Sequence, residues 1–223
     1  LSCHGSAPER GINAVYKMAP IVVDIERLND QLAQGADPFL GKGSVTIAEI
    51  RSTSPSLCAV ADSCTIHLDR RLTRGETLDS AVAQVASLPS VQAAGGTVTV
   101  LDYARPSYTG LVYPARKYYP TWLMDESDPV IRAAVEAAGE ALGHSPLVGK
   151  WTFSTNGIAT RGLHGVPTVG FGPGNEVYAH TPSDQCPVDH LTRAAHFYAV
   201  FPMWFARIAK AAPDRSSRVT WIR

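Results

Sequence analysis

The sequence predicts a mixed α/β fold, and two kinds of pattern support that prediction. Apolar residues recur at helical spacing after Asn13 and again after Thr77. Between these segments, residues 44–50 and 58–72 alternate apolar with polar side chains, as half-buried strands do. Helical and strand-like segments therefore alternate along the first half of the chain, which is typical of a sheet covered by helices.

The first half contains, in order, a helix, two strands, a helix and a further strand over residues 97–103. Asn13 and Thr77 carry side-chain oxygens that cap helices, so each marks a helix start. Leu1 is not a methionine, and it opens what looks like the end of a strand, so we expect that an upstream segment was removed, naturally or experimentally. With that strand restored, residues 1–107 have the order βαββαβ, the ferredoxin-like split motif.

The second half, residues 108–223, has a different character. Ser127 is expected to cap a helix that ends at Gly143, and a final helix is expected from about Asp189. Residues 166–171 are the one clear strand, so this half should belong to a sheet whose other strands lie upstream. Half of a sheet exposes apolar surface, and we expect this half to pair with another chain or to be poorly ordered.

Charge and composition argue against two classes of partner. The chain has 20 Lys and Arg against 20 Asp and Glu, so no basic excess supports binding to nucleic acid or to an anionic membrane surface. No apolar run approaches the length of a membrane span. The four cysteines lack CxxC spacing and are typical of reduced thiols, so we expect a cytoplasmic protein.

Two histidines lie in loops that suit ligand binding. His180 follows the predicted strand and a glycine-rich loop, where α/β folds hold ligands, and imidazole is a common zinc ligand. His4 lies in a loop rich in Gly, Ser and Pro, from which it could donate a hydrogen bond to an oxyanion. From these residues alone, an ordinary loop histidine is the simpler interpretation of each.

Weaker signals come from other short segments. Gly172 and Gly174 can expose backbone N–H groups to a carboxylate or phosphate, and Asn156 is either a substrate contact or a turn residue. The run Asp69-Arg70-Arg71, at a strand end, offers a guanidinium to a carboxylate, although such a run more often forms a solvated ion pair of little energetic weight. The remaining histidines have no convincing partners and are expected to be structural or surface residues: His67, His144, His164, His190 and His196.

Several segments, in a fixed order, resemble one family. Residues 4–14, His-Gly-Ser-Ala-Pro-Glu-Arg-Gly-Ile-Asn-Ala, resemble the opening of the dimerisation (lid) domain of the dinuclear-zinc aminoacylase, acetylornithine deacetylase and carboxypeptidase family. Residues 170–174, Gly-Phe-Gly-Pro-Gly, and 179–184, Ala-His-Thr-Pro-Ser-Asp, resemble its closing active-site motif. The resemblance is closest to the bacterial selenium-metabolism-associated hydrolases and extends from Leu1 to about Pro202.

This resemblance implies a fold and a set of roles. The fold is a ferredoxin-like lid over residues 1–107, followed by the C-terminal part of an α/β zinc-hydrolase catalytic domain over residues 108–223. His180 would be the last metal ligand, and His4 would reach across a homodimer to stabilise the tetrahedral oxyanion in the partner's active site. The residues that would line the substrate site are Asn156, Gly172, Gly174 and Arg105, the last of which would hold a substrate carboxylate.

The implied reaction is hydrolysis of the amide bond of an N-acyl amino acid or a small peptide. Two zinc ions, or cobalt or manganese in their place, would polarise the carbonyl and activate a bridging water, with a glutamate as general base.

The chain lacks most of the residues that this reaction needs. The family's first metal-binding histidine, the bridging aspartate and the paired glutamates would all lie upstream of Leu1, and Asp184 stands where many relatives have glutamate. Because a catalytic zinc ion needs about three protein ligands, we expect the chain to be inactive alone. Two alternatives stay open: a non-enzymatic dimerisation or interaction module, and one half of a split enzyme.

Overall fold

A computed structural model describes residues 1–151 and 153–211 of the chain. It divides into two compact units, Leu1–Thr121 and Trp122–Arg223, and the end of the second unit lies outside the described residues. Helices and antiparallel strands both occur, which confirms the mixed α/β class.

The first unit contains α1 (Ala14–Gln34), β1 (Ser44–Thr53), β2 (Ser63–Arg71), α2 (Leu78–Ala86) and α3 (Pro89–Ala94). β1 and β2 pair antiparallel, with a shift of register between Ile47 and Glu49. Two short strands follow, β3 (Asp102–Tyr103) and β4 (Ala115–Arg116), which also pair antiparallel.

One face of α1 forms the core of the first unit together with β1, α2 and α3. Its buried residues recur at helical spacing, as expected for a helix that covers a sheet. The buried cluster comprises Ile21, Ile25, Leu28, Val45, Val85 and Val91. Both predicted helix caps are confirmed, because Asn13 Oδ1 accepts the Val15 N–H at 2.9 Å and Thr77 closes a capping box with Ser80.

Two predicted strands of this unit are shorter than expected. The strand predicted at 58–72 begins only at Ser63, because residues 54–62 form a loop that the Asp62 N–H closes by donating to the Thr53 carbonyl at 3.1 Å. The strand predicted at 97–103 is reduced to the two residues of β3. The hairpin of β3 and β4 lies within the first compact unit, which ends at Thr121. The predicted domain boundary at residue 107 would instead fall between these two strands.

The second unit is built around α4 (Pro129–Leu142) and α5 (Val188–Ala211). Their buried side chains form one cluster: Ala134, Ala137, Ala138, Phe197 and Val200. The predicted cap of α4 was one residue early. Asp128 caps it by accepting the Val130 N–H at 2.9 Å, whereas Ser127 donates to the Asp125 carboxylate and lowers the pKa of that carboxyl group.

The predicted strand at residues 166–171 is not observed as a paired strand. Val169 and Phe171 instead pack against the α4 and α5 cluster, because strand pairing needs a neighbouring strand and the described part of this unit contains none. Apolar side chains of this unit are largely exposed at Leu147, Val177 and Val188. That this half pairs with another chain or is poorly ordered stays a prediction. Within the described ranges, no helix combines the length and the apolar composition that crossing a bilayer requires.

Candidate functional site

The first five residues place His4 on the surface of the first unit. They run antiparallel to residues 58–60, since the Gly5 N–H donates to the Cys58 carbonyl at 2.6 Å and the Val60 N–H donates to the Cys3 carbonyl at 2.9 Å. His4 lies opposite Ala59 in this pairing, and its side chain is exposed. The position is therefore open to a ligand or to a second chain.

The His4 ring is held along one edge. Its Nδ1 atom accepts the Ser6 backbone N–H at 3.2 Å and lies 2.7 Å from Ser6 Oγ. The opposite edge, with Nε2, makes no hydrogen bond to any residue in the described part of the chain. That edge is available to an oxygen atom of a ligand, as the predicted role of His4 requires.

His180 lies within a series of tight turns in the second unit. A short 3₁₀ helix, Glu176–Tyr178, precedes it, and the Asn175 side chain caps that helix. After it, Thr181 donates both its N–H, at 3.1 Å, and its hydroxyl, at 2.7 Å, to the Tyr178 carbonyl. These bonds close the backbone around His180 without using its side chain.

The backbone of His180 is strained. Its φ angle is 63°, and among the described residues it is the only one other than glycine in the left-handed region. That conformation costs a residue with a Cβ about 1–2 kcal/mol, and such strain clusters at functional sites. The imidazole is exposed and makes no hydrogen bond or ion pair within the described ranges, so the fold itself gives no reason for a histidine here.

We expect glycine at position 180 to make the second unit more stable than alanine does, by about 1 kcal/mol, because only glycine adopts the left-handed conformation without strain. Urea unfolding of His180→Gly and His180→Ala measures the difference. Ala179, with φ −57°, is the matched control, and there glycine should be no more stable than alanine. Equal stabilities of the two variants at position 180 would contradict the strain.

Three contacts from α5 fix the backbone that leads to this loop. The Tyr198 hydroxyl donates to the Phe171 carbonyl, and the Phe197 ring stacks on the Phe171 ring with centroids 4.1 Å apart. His190 Nδ1 accepts the Gly174 N–H at 3.3 Å, so the expectation that His190 has no partner is wrong. The two residues are sixteen positions apart, and no local pattern in the sequence signals their contact.

The two predicted glycines differ in their structural need for glycine. Gly174 has φ 92°, a left-handed conformation that L side chains rarely adopt. A Cβ placed on Gly172 would meet no atom within 4 Å. Packing therefore does not explain Gly172, and the open space beside it leaves room for the close approach of a ligand.

Asn156 is exposed at the start of a π-helix, Ile158–Leu163. Its carbonyl accepts the Thr160 N–H at 3.2 Å. The next residue, Gly157, packs so closely on Trp122 that a Cβ there would lie 2.4 Å from the indole ring. The contact between the Trp122 ring and the Gly157 backbone therefore holds the turn that carries Asn156. No hydrogen bond in the described chain joins Asn156 to His180.

Arg105 is exposed in the first unit, between β3 and β4, and forms no ion pair with the residues that the structure describes. A cavity of about 290 Å³ lies elsewhere in that unit, lined in part by Leu28, Thr73 and Glu76. None of the predicted site residues lines this cavity.

The described residues do not form a metal site by themselves. Nowhere in residues 1–151 or 153–211 do three His, Cys, Asp or Glu side chains converge as metal ligands. His180 supplies a single imidazole, whereas a catalytic zinc ion needs about three protein ligands. The zinc centre that the family resemblance implies therefore does not fit this chain alone. The four cysteines are all unpaired: Cys3, Cys58, Cys64 and Cys186.

Comparison with known proteins shows what the chain is similar to. Residues 1–97 match the M20 peptidase dimerisation domain. The chain is 50% identical over 207 residues to the uncharacterized protein YgeY of Escherichia coli K12, and equally so to YgeY of Escherichia coli O157:H7. The match covers 92% of this chain and 51% of each relative, so the chain spans about half the length of the curated relatives it matches.

Two solved structures share the fold. The aminopeptidase PepT from Bacillus cereus aligns with a TM-score of 0.57 at 19% identity, over 92% of this chain and 49% of PepT. The M20 family metallo-carboxypeptidase Sso-CP2 from Sulfolobus solfataricus aligns with a TM-score of 0.55 at 14% identity, over 92% of this chain and 55% of the carboxypeptidase. At these identities the likeness shows a common fold.

Proposed function

We propose that the chain is the C-terminal part of a zinc-dependent amidohydrolase or peptidase of the M20 type. The whole enzyme hydrolyses an amide bond of an N-acyl amino acid or a small peptide. The observation that carries the proposal is His180, an exposed imidazole on strained backbone that has no partner among the described residues, in a loop that follows a segment held by α5. The match of residues 1–97 to a peptidase dimerisation domain supports the same reading.

The proposed roles follow the surroundings of each residue. His4 donates a hydrogen bond from Nε2 to the carbonyl oxygen of the scissile amide, on which negative charge develops. Gly172 gives a substrate access to open backbone ahead of the His180 loop, and Gly174 lines the same site and makes the turn there. The exposed side chains of Asn156 and Arg105 contact the substrate, and Arg105 pairs with its carboxylate.

His180 is proposed as one metal ligand, with the others supplied by the portion of the enzyme that this chain does not span. Zinc is the expected metal because imidazole suits it, and cobalt and manganese are the alternatives. The free state of the four cysteines supports a cytoplasmic location as part of this proposal.

A homodimer formed through the lid, residues 1–107, completes the proposal. The dimerisation-domain match and the exposure of His4 support it, because a residue that serves a partner's active site must lie on the surface. The subgroup that we propose for the chain is the bacterial selenium-metabolism-associated hydrolases.

A second candidate function is an interaction module without catalysis. The exposed apolar side chains of the second unit favour it, since such surface marks sites where other chains bind. One half of a split enzyme, completed by a separate polypeptide, is the intermediate case.

A hydrolysis assay separates these functions. The chain is tested alone and after joining, at Leu1, to the portion of E. coli YgeY that the alignment leaves unmatched. N-acetyl amino acids and dipeptides serve as substrates, and the same compounds with amidated C-termini serve as controls for recognition of a free carboxylate. We expect hydrolysis by the joined protein only, and weaker hydrolysis of the amidated compounds.

Two outcomes would contradict parts of this proposal. Hydrolysis by the isolated chain with zinc would contradict the proposal that the other metal ligands lie outside this chain. A joined protein that folds, binds zinc and hydrolyses none of the substrates would favour the interaction module.

A further inference from the structure

We propose that Ser6 is a positioning residue that holds the neutral His4 ring in the tautomer protonated on Nε2, and that it acts through its backbone amide. The exposed edge of the ring is then a hydrogen-bond donor before any substrate arrives. The inference rests on the proposed role of His4 for its functional meaning, and on the geometry of the first unit for the tautomer itself.

The Ser6 amide decides the tautomer. A backbone N–H can only donate, so Nδ1 of His4, 3.2 Å from the Ser6 nitrogen, must present its lone pair. In a neutral imidazole the other nitrogen then carries the proton. The Ser6 hydroxyl, 2.7 Å from Nδ1, can donate or accept and is compatible with either tautomer. The hydroxyl therefore strengthens the contact between Ser6 and the His4 ring but does not select the tautomer.

The turn that positions this amide is fixed on both sides. The Gly5 N–H donates to the Cys58 carbonyl at 2.6 Å, and a Cβ on Gly5 would lie 2.8 Å from that oxygen. The Ala7 N–H donates to the His4 carbonyl at 3.0 Å and closes the turn around Ser6. Only glycine at position 5 lets the chain approach Cys58 this closely.

The tautomer determines which ligand atoms His4 can bind through Nε2. A ring with Nε2 protonated donates to a carbonyl oxygen, and the bond strengthens as that oxygen gains negative charge. Protonation of Nδ1 would place two donors, the ring N–H and the Ser6 N–H, against each other. The arrangement therefore favours a ring that donates from Nε2 over a ring that acts as a base through that nitrogen.

Nitrogen NMR on the intact chain tests the tautomer. In the uniformly ¹⁵N-labelled chain, long-range proton–nitrogen correlation of the histidine rings identifies which ring nitrogen carries the proton, and a nitrogen–nitrogen coupling across the hydrogen bond identifies the donor. We expect one dominant Nε2-protonated form of His4, with a coupling between Nδ1 and the Ser6 amide nitrogen. A dominant Nδ1-protonated form, or the mixture seen for free imidazole, would overturn the proposal.

Two variants separate the amide from the hydroxyl. Ser6→Ala keeps the amide, so His4 should retain the Nε2-protonated form. Ser6→Pro removes the N–H, and the fraction of the Nδ1-protonated form should rise roughly fivefold, as the loss of one neutral hydrogen bond implies. Loss of the tautomer in Ser6→Ala would contradict the role of the amide, and this result decides the matter even where Ser6→Pro does not fold.

The two proposals can fail separately. The NMR result is obtained on the chain by itself, so an inactive joined protein leaves the NMR result standing. If the tautomer is as expected but the joined protein hydrolyses amides equally well without His4, the proposed function of His4 is wrong and the positioning by Ser6 is not.

Discussion

Replacing His4 by alanine in the joined protein is expected to lower kcat for amide hydrolysis by about 10²–10³, the usual effect of removing one donor to a developing oxyanion. Substrate binding in the ground state should change less, because the bond strengthens only as the carbonyl oxygen becomes negative. Steady-state kinetics with an N-acetyl amino acid measures kcat and KM, which report on these two effects. His67, an exposed histidine of the same unit, provides the control as His67→Ala.

The amide side chains refine this prediction. The terminal nitrogen of glutamine reaches the place of Nε2, whereas that of asparagine reaches only the place of Nδ1. His4→Gln should therefore retain more activity than His4→Asn. Equal activities of His4→Ala and His67→Ala would show that His4 takes no part in the reaction.

Mixed dimers test whether His4 acts in the partner's site. A His4→Ala chain and a His180→Gly chain are each defective, but in a mixed dimer one site receives an intact copy of both residues. Random pairing of equal amounts should restore about a quarter of the wild-type activity, since half of the dimers are mixed and each has one complete site. No recovery on mixing would mean that each chain serves its own site.

Replacing Glu76 by alanine is expected to destabilise the first unit by about 3–5 kcal/mol, the cost of leaving a buried charge without its partner. Arg70 donates to both carboxylate oxygens of Glu76, and the side chains are only 12% and 17% exposed. The Thr73 N–H also donates to Glu76, at 2.7 Å. Arg70 Nε is already buried without an acceptor in the described part of the chain. The variant would therefore leave further N–H groups of the same guanidinium without acceptors.

The matched control is an exposed pair. Arg51 and Glu49 lie 2.6 Å apart, but their side chains are 76% and 49% exposed. Glu49→Ala should cost less than about 1 kcal/mol, because water screens such pairs. Urea unfolding compares the two variants, and similar losses of stability would mean that burial does not determine the weight of the Arg70–Glu76 pair.

The sequence predicted best those features that depend on neighbouring residues. The caps at Asn13 and Thr77 were found because a side-chain oxygen and a nearby N–H are enough to define them. The strand at residues 166–171 failed because strand pairing depends on a neighbour that no local pattern reveals. The contribution of Arg70 to stability was also missed, because its pairing with Glu76 and its burial both follow from packing.

The candidate site divides in the same way. His4 and His180 were identified from motifs, and their exposure fits the predicted roles. The supporting residues His190 and Tyr198 could not be predicted, because they reach the glycine loop from a helix that follows it in the chain. Ser6 lies only two residues from His4, but the direction of its amide appears only in the folded turn.

The most direct test of the account is the zinc content of the joined protein, measured by atomic absorption after equilibrium dialysis. We expect about two zinc ions per wild-type chain and about one after His180→Gly, because losing one of about three ligands empties that site. His164→Ala, at another exposed histidine of the second unit, should retain the wild-type content. Unchanged zinc content in a folded His180→Gly protein would contradict the assignment of His180 as a metal ligand.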